Sequence, residues 1–154
     1  MFDIHSVLVV CDGNHCRSPI GEALLRERSG GRLAVSSAGL GALVGTPPAP
    51  IAQRLMAERG VDITGHRGRQ LTAALAQEAD LILVMDERQK TACGLLAPRI
   101  LARTFLLGHW RPAAEREIID PFRASDEIFV SVLNQIDVSV NDWLPRLLPS
   151  RRHP

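Results

Sequence analysis

Tyrosine is absent from this chain, lysine occurs once (Lys90), and aromatic residues fill only 4% of its 154 positions. Without tyrosine, the protein cannot be controlled by phosphorylation of its own phenols. With a single lysine outside any Gly-Lys-Ser/Thr stretch, it has no Walker-type nucleotide loop. No apolar run approaches membrane length, and the N-terminus shows no basic segment leading into an apolar one. Charge of one sign is not in excess either. The formal net charge is +1 with 23% charged residues, so no overall field favours nucleic acid or a membrane surface. Three cysteines, two of them five positions apart, do not make a disulfide framework. Repeats, linkers and low-complexity stretches are missing too. The expectation is one soluble domain over residues 1–154, with its core at about 6–148 and Arg151–Pro154 as a solvated tail. Free thiols suit a reducing compartment, so the cytoplasm is the expected location.

What is present is an alternation of apolar strand-like runs with helical patterns, the mark of an α/β fold with a parallel sheet and helices on both faces. Strands are predicted at Ser6–Val10, Leu33–Ser36, Leu81–Met85 and Thr104–Leu107. Helices are predicted at Pro19–Arg28, Pro50–Arg59, Ala73–Gln77, Glu87–Leu96 and Ser125–Leu147. The last opens on Ser125 as N-cap with Asp126 and Glu127 in its positively polarised first turn. Its Ile128, Val132, Ile136, Val140 and Trp143, with Leu133 and Leu147, form an apolar stripe that reads as core. Gly21 is a poor helix former, retained if α-helical backbone must pack closely under the preceding loop.

The informative stretch is Cys11-Asp12-Gly13-Asn14-His15-Cys16-Arg17-Ser18, set between the apolar run Val7–Val10 and the first helical pattern. In open α/β sheets ligands sit beyond the carboxyl ends of the strands. A loop there can turn successive backbone N–H groups inward, and the following helix start adds about half a positive charge. Such a ring of donors holds an anion, most often phosphate. Arg17 offers a planar fork for two phosphate oxygens at once, and the same field favours a thiolate at Cys11. Gly13 allows close backbone approach, and Asn14 can tie the loop to itself. Ser18 can cap the helix and donate to the thiolate, with Pro19 at the first helical position. A buried cysteine is commonly just a small hydrophobe, but here every neighbour also fits an oxyanion loop. The phosphate-binding residues are therefore read as Asp12, Gly13, Asn14, His15, Cys16, Arg17 and Ser18. Cys11 and Cys16 with His5 and His15 fit no standard zinc spacing, so no metal or other cofactor is expected.

This stretch, with Ser36-Ser37-Ala38-Gly39, His66–Gln70, Leu83–Asp86 and Asp120-Pro121-Phe122-Arg123 in the same order, resembles the low-molecular-weight protein-tyrosine phosphatases from Ser6 to about Leu148. Ser37–Gly45 and Gly108-His109-Trp110 are similar to the bacterial subgroup that serves exopolysaccharide export. The resemblance implies a single-domain sheet of strand order 2-1-3-4. It implies phosphotyrosine hydrolysis through a cysteinyl-phosphate, with Cys11 as nucleophile, Arg17 as oxyanion holder and Asp120 as general acid. Pro121 restricts Asp120 to extended backbone. Asn14, Ser18, Ser37 and His66 correspond to residues that support the loop, and Cys16 to a redox partner that can pair with Cys11 and protect it. The implied partner is a phosphotyrosine protein, an autophosphorylated bacterial tyrosine kinase, acted on by a monomer.

Two loop positions depart from the family pattern, where apolar residues are usual. Asp12 brings negative charge beside a dianion site, weakening it unless the carboxylate is paired or turned away. His15, when protonated, would offset it and add a titration near neutral pH. Ala42-Leu43 replaces an aromatic of the cleft, and Phe122-Arg123 stands where tyrosines are frequent, Arg123 being able to attract acidic residues near a phosphotyrosine. Two alternatives stay open: an arsenate reductase of the same fold, for which only Cys93 remains as a relay thiol, and a phosphotyrosine-binding pseudo-phosphatase.

Overall fold

The computed structural model describes residues 3–148, so the tail Arg151–Pro154 lies outside the described residues. Its strands are β1 (Ser6–Cys11), β2 (Ala34–Gly39), β3 (Leu81–Val84) and β4 (Thr104–Leu106). The helices are α1 (Arg17–Arg28), α2 (Pro50–Glu58), α3 (Ala73–Glu78), α4 (Glu87–Leu96) and α5 (Asp126–Leu147). All pairings are parallel and the order is β2-β1-β3-β4. Central β1 is buried from Val7 to Cys11 because helices cover both sheet faces.

Alternation along β1 and β3 divides the core. Val7, Val9, Cys11, Leu81 and Leu83 pack with Ile20 and Leu24 of α1, Met56 of α2, and Val132 and Ile136 of α5. Leu8, Val10, Ile82 and Val84 face the other way onto Ala76 of α3, Cys93 of α4 and Ile100. Gly21 allows close packing on β1 rather than under the loop: a Cβ there would sit 3.2 Å from Val9 Cγ1. The start of the sheet is fastened by Asp80, whose Oδ2 accepts from the amides of His5 (2.8 Å) and Ser6 (3.0 Å).

Several boundaries differ from the sequence pattern. β2 runs on through Ser37, Ala38 and Gly39, which pair with Val9, Val10 and Cys11; small and polar residues carry little strand signal of their own. Helix α1 begins at Arg17 with Cys16 as N-cap and no side-chain cap. Ser18 is thus its second residue and Pro19 its third, and the Ser18 hydroxyl is spent elsewhere. On α5 the Ser125 Oγ does accept from the Ile128 amide (3.4 Å). The inward residue of that first turn, however, is Phe129, while Ile128 is 40% exposed. Short 3₁₀ turns at Pro98–Arg103 and Ala113–Glu115 were not legible as periodic patterns.

An aromatic cluster lies at the amino ends of the strands, beside Ile4, Asp80 and Leu81. Trp110 and Trp143 meet edge to face at 5.4 Å, the Arg146 guanidinium lies 3.8 Å above Trp110, and Trp143 Nε1 donates to the Leu107 carbonyl (2.8 Å).

Candidate active site

At the opposite end, the backbone carbonyls of the loop that follows β1 are held from outside. The carbonyls of Cys11, Asp12, Gly13 and His15 accept from the amides of Leu40 (3.0 Å), Gly41 (2.8 Å), Leu43 (3.0 Å) and Ala49 (2.9 Å), all on the chain between β2 and α2. The Asn14 carbonyl accepts from His66 Nε2 at 3.1 Å. With the carbonyls occupied outward, the amides of Gly13 through Cys16 have no acceptor among the described residues. Arg17 and Ser18 open α1, where N–H groups lack an intrahelical partner. Amides left without acceptors around Cys11 are what an anion-holding ring of donors requires.

Asn14 is its keystone. It is buried, adopts φ +51°, and spends its whole amide on the loop. Nδ2 donates to Ser18 Oγ (2.8 Å) and Ser37 Oγ (3.0 Å), and Oδ1 accepts from the Arg69 amide (2.9 Å). Ser18 Oγ accepts from Asn14 and lies 2.9 Å from Cys11 Sγ, to which its hydroxyl can donate once that sulfur is a thiolate. The four residues expected to support the loop, Asn14, Ser18, Ser37 and His66, therefore form one connected network. Gly39 closes it: a Cβ there would come within 2.7 Å of the Asp12 carbonyl oxygen and 2.8 Å of the Asn14 nitrogen.

Cys11, Cys16, Arg17 and Asp120 line one cleft of about 230 Å³, rimmed by Leu43, Phe122 and Phe129. Arg17 is buried, and its Nη1 donates to the Ile118 carbonyl (2.8 Å). Ile118 is itself anchored just past the end of β3, its amide bonding the Met85 carbonyl (2.9 Å). Asp120, two residues on, is half-exposed, with Oδ1 accepting from the Phe122 amide (3.0 Å) and Oδ2 3.8 Å from Arg17. Phe122 is exposed, and the Arg123 guanidinium stacks on its ring at 5.2 Å.

The sequence reading missed Arg88. This residue, not His15, partners Asp12: its Nη2 donates to both Asp12 oxygens, at 2.8 and 2.7 Å, while Arg17 Nη2 lies 3.3 Å from Oδ2. Burial alone would push the Asp12 carboxyl up, but hydrogen bonds and charge from Arg88, with the charge of Arg17, hold it below its ordinary value. The only available signal was an arginine in the first turn after a strand end, which is common. His15 faces the cleft with Nδ1 buried and unpartnered among the described residues.

All three cysteines are free thiols. Burial and the neighbouring Cys11 push the Cys16 thiol up to about 12, and burial pushes Cys93 up to about 11. Cys93 packs in the core on the far face of the sheet, poorly placed to relay oxidation from the loop.

A parallel sheet of this order, with a cysteine-to-arginine anion loop at its carboxyl edge, defines a cysteine-loop phosphatase. The family model described as low molecular weight phosphotyrosine protein phosphatase matches residues 6–152, and the chain belongs to that family. It is 42% identical over 143 residues to the low molecular weight protein-tyrosine-phosphatase Etp of Escherichia coli K12, covering 93% of this chain and 95% of Etp. To the probable low molecular weight protein-tyrosine-phosphatase EpsP of Ralstonia nicotianae it is 44% identical over 144 residues, covering 94% and 97%. The crystal structure of the tyrosine phosphatase Wzb from Escherichia coli K30 in complex with sulphate matches with a TM-score of 0.88 at 42% identity, covering 96% of this chain and 100% of that one. The protein is thus an enzyme of the protein-tyrosine-phosphatase kind, a phosphoric monoester hydrolase.

Proposed function

We propose that the protein hydrolyses phosphotyrosine in two steps through Cys11. The observation that carries this reading is the sulfur of Cys11 at the cleft, 2.9 Å from the Ser18 hydroxyl that Asn14 holds in place. The Cys11 thiolate attacks phosphorus in line, forming the S–P bond as the P–O bond to the phenol breaks. Asp120 gives its proton to the departing phenolate. Arg17 and the amides of Gly13 to Ser18 hold the equatorial oxygens throughout. Asp120, now a carboxylate, takes a proton from water as that water attacks phosphorus; the S–P bond breaks, and thiolate and inorganic phosphate are released. Asn14, Ser18, Ser37 and His66 keep the loop rigid during both displacements.

Cys11, Arg17 and Asp120 of a single chain line one cleft, which supports a monomer as the working form. The substrate we assign is the phosphotyrosine of an autophosphorylated bacterial tyrosine kinase of exopolysaccharide export, a reading supported by the subgroup resemblance of Ser37–Gly45 and Gly108–Trp110. A reducing compartment such as the cytoplasm keeps the nucleophile active, and Cys16, adjoining Cys11, serves as its protective disulfide partner under oxidation. No helix among the described residues is long and apolar enough to cross a membrane.

The test is hydrolysis of p-nitrophenyl phosphate and a phosphotyrosine peptide under reducing conditions. Wild type is active, Cys11→Ser is inactive, and Asp120→Ala loses about 10²- to 10³-fold in kcat. An inert wild type, or one that binds the peptide without releasing phosphate, would overturn the reading. A Cys11→Ser protein that traps the kinase supports the substrate assignment; one that traps other phosphoproteins only refutes it.

A further inference from the structure

The first turn of α4 is locked beside the anion loop. Asp86 Oδ1 accepts from the Gln89 amide (2.8 Å), and Gln89 Oε1 accepts from the Met85 amide (2.7 Å). Arg88 projects from this turn with its side chain 65% exposed, so it contributes little to the core. Its guanidinium nevertheless ends on Asp12, gripping both carboxylate oxygens at 2.8 and 2.7 Å.

The contacts of Asp12 are unequal. Arg88 is close; Arg17 Nη2 is at 3.3 Å, a long contact for two opposite charges. Arg17 is otherwise held by the Ile118 carbonyl through Nη1, with Asp120 Oδ2 more distant, 3.8 Å from Nη2. A carboxylate with no other cation near it would close on Arg17. The fork that should receive two phosphoryl oxygens would then be occupied and neutralised, and the carboxylate would repel an incoming dianion as well. By taking up Asp12, Arg88 prevents both effects and leaves a weak second acceptor that steadies the Arg17 plane.

We propose that Arg88 is a positioning residue of this site: it retains the Asp12 carboxylate at the loop rim, so that Arg17 stays available to phosphoryl oxygens. The proposal rests on the loop's reading as a phosphoryl site, and its test is direct binding of inorganic phosphate, which needs no turnover. Isothermal titration at fixed ionic strength compares wild type, Arg88→Ala, Arg88→Lys, Asp12→Asn and the Asp12→Asn/Arg88→Ala double variant. Arg88→Ala is expected to weaken phosphate about tenfold, with a parallel rise in KM for p-nitrophenyl phosphate and a smaller change in kcat. Arg88→Lys should recover part of the loss. In the Asp12→Asn background, removing Arg88 should change affinity less than about twofold. Equal losses in both backgrounds, or none in either, would overturn the proposal. So would a loss confined to acidic phosphopeptides, which would assign Arg88 to the substrate chain. A wild type that binds no phosphate overturns the phosphoryl-site reading, and this proposal with it; wild-type binding insensitive to Arg88 overturns this proposal alone.

Discussion

Single residues decide whether the donor ring exists. Asn14 stands in left-handed backbone, which asparagine tolerates better than most side chains, and its amide serves three partners in a buried place. Asn14→Ala leaves those partners short of a bond, each buried omission costing about 1–3 kcal/mol. We expect a loss of at least about 2 kcal/mol in denaturant unfolding and a fall in kcat/KM of more than about tenfold. Gly39→Ala forces a methyl group against the Asp12 carbonyl and the Asn14 nitrogen, both backbone. Its expected signature is abolished phosphate binding, read by calorimetry; retained affinity would mean that the loop can shift without harm. Two of the thiols are held protonated. With Cys16 raised to about 12 and Cys93 to about 11, both remain protonated and sluggish at pH 7.5. Neither should compete well for iodoacetamide, and Cys11, beside the Ser18 hydroxyl in the cleft, should be alkylated first, as peptide mass spectrometry would show.

At the scale of elements, what matters is how strand ends hand residues to the cleft. Cap formation at α4 aims Arg88, so Asp86→Ala should cost about 1 kcal/mol of stability and weaken phosphate in the same direction as Arg88→Ala. Sequence alone revealed much of this architecture. The runs Val7–Val10 and Leu81–Val84 are continuous and β-branched enough to read as buried strands, and Ser125 is a recognisable cap. The nucleophile loop was legible because cysteine, glycine, asparagine, arginine and serine cluster within eight positions. The carboxyl half of β2 was not, since Ser37-Ala38-Gly39 is strand only through its pairing with β1. Nor was the inward turn of Phe129 over Ile128, as neighbouring apolar residues leave the phase of a helix's first turn undetermined. Arg88 escaped notice because its meaning depends on Asp12, 76 residues away. Long-range pairs between one charge and another leave no local trace.

For the molecule as a whole, Asp80 and Asp12 couple stability to acid. Backbone amides of His5 and Ser6 hold Asp80 below its ordinary value, and Arg88 does the same for Asp12 against the opposing effect of burial. A lowered folded-state value contributes stability that is fully present above the unfolded aspartate value of about 3.9 and is lost as pH falls through the folded one. Asp80→Asn should therefore lie below wild type by about 0.5 kcal/mol at pH 6, the low end for a bond to a mostly solvated group. That gap should vanish towards pH 2, as urea titrations at both pH values would measure. Both indoles, meanwhile, sit at the pole remote from the anion loop, one stacked under Arg146 and the other tied to Leu107. Intrinsic emission from this protein is thus a gauge of whether the chain is folded that stays dark to occupancy of the cleft, and a fluorescent report of ligand would need a probe grafted near the opposite rim.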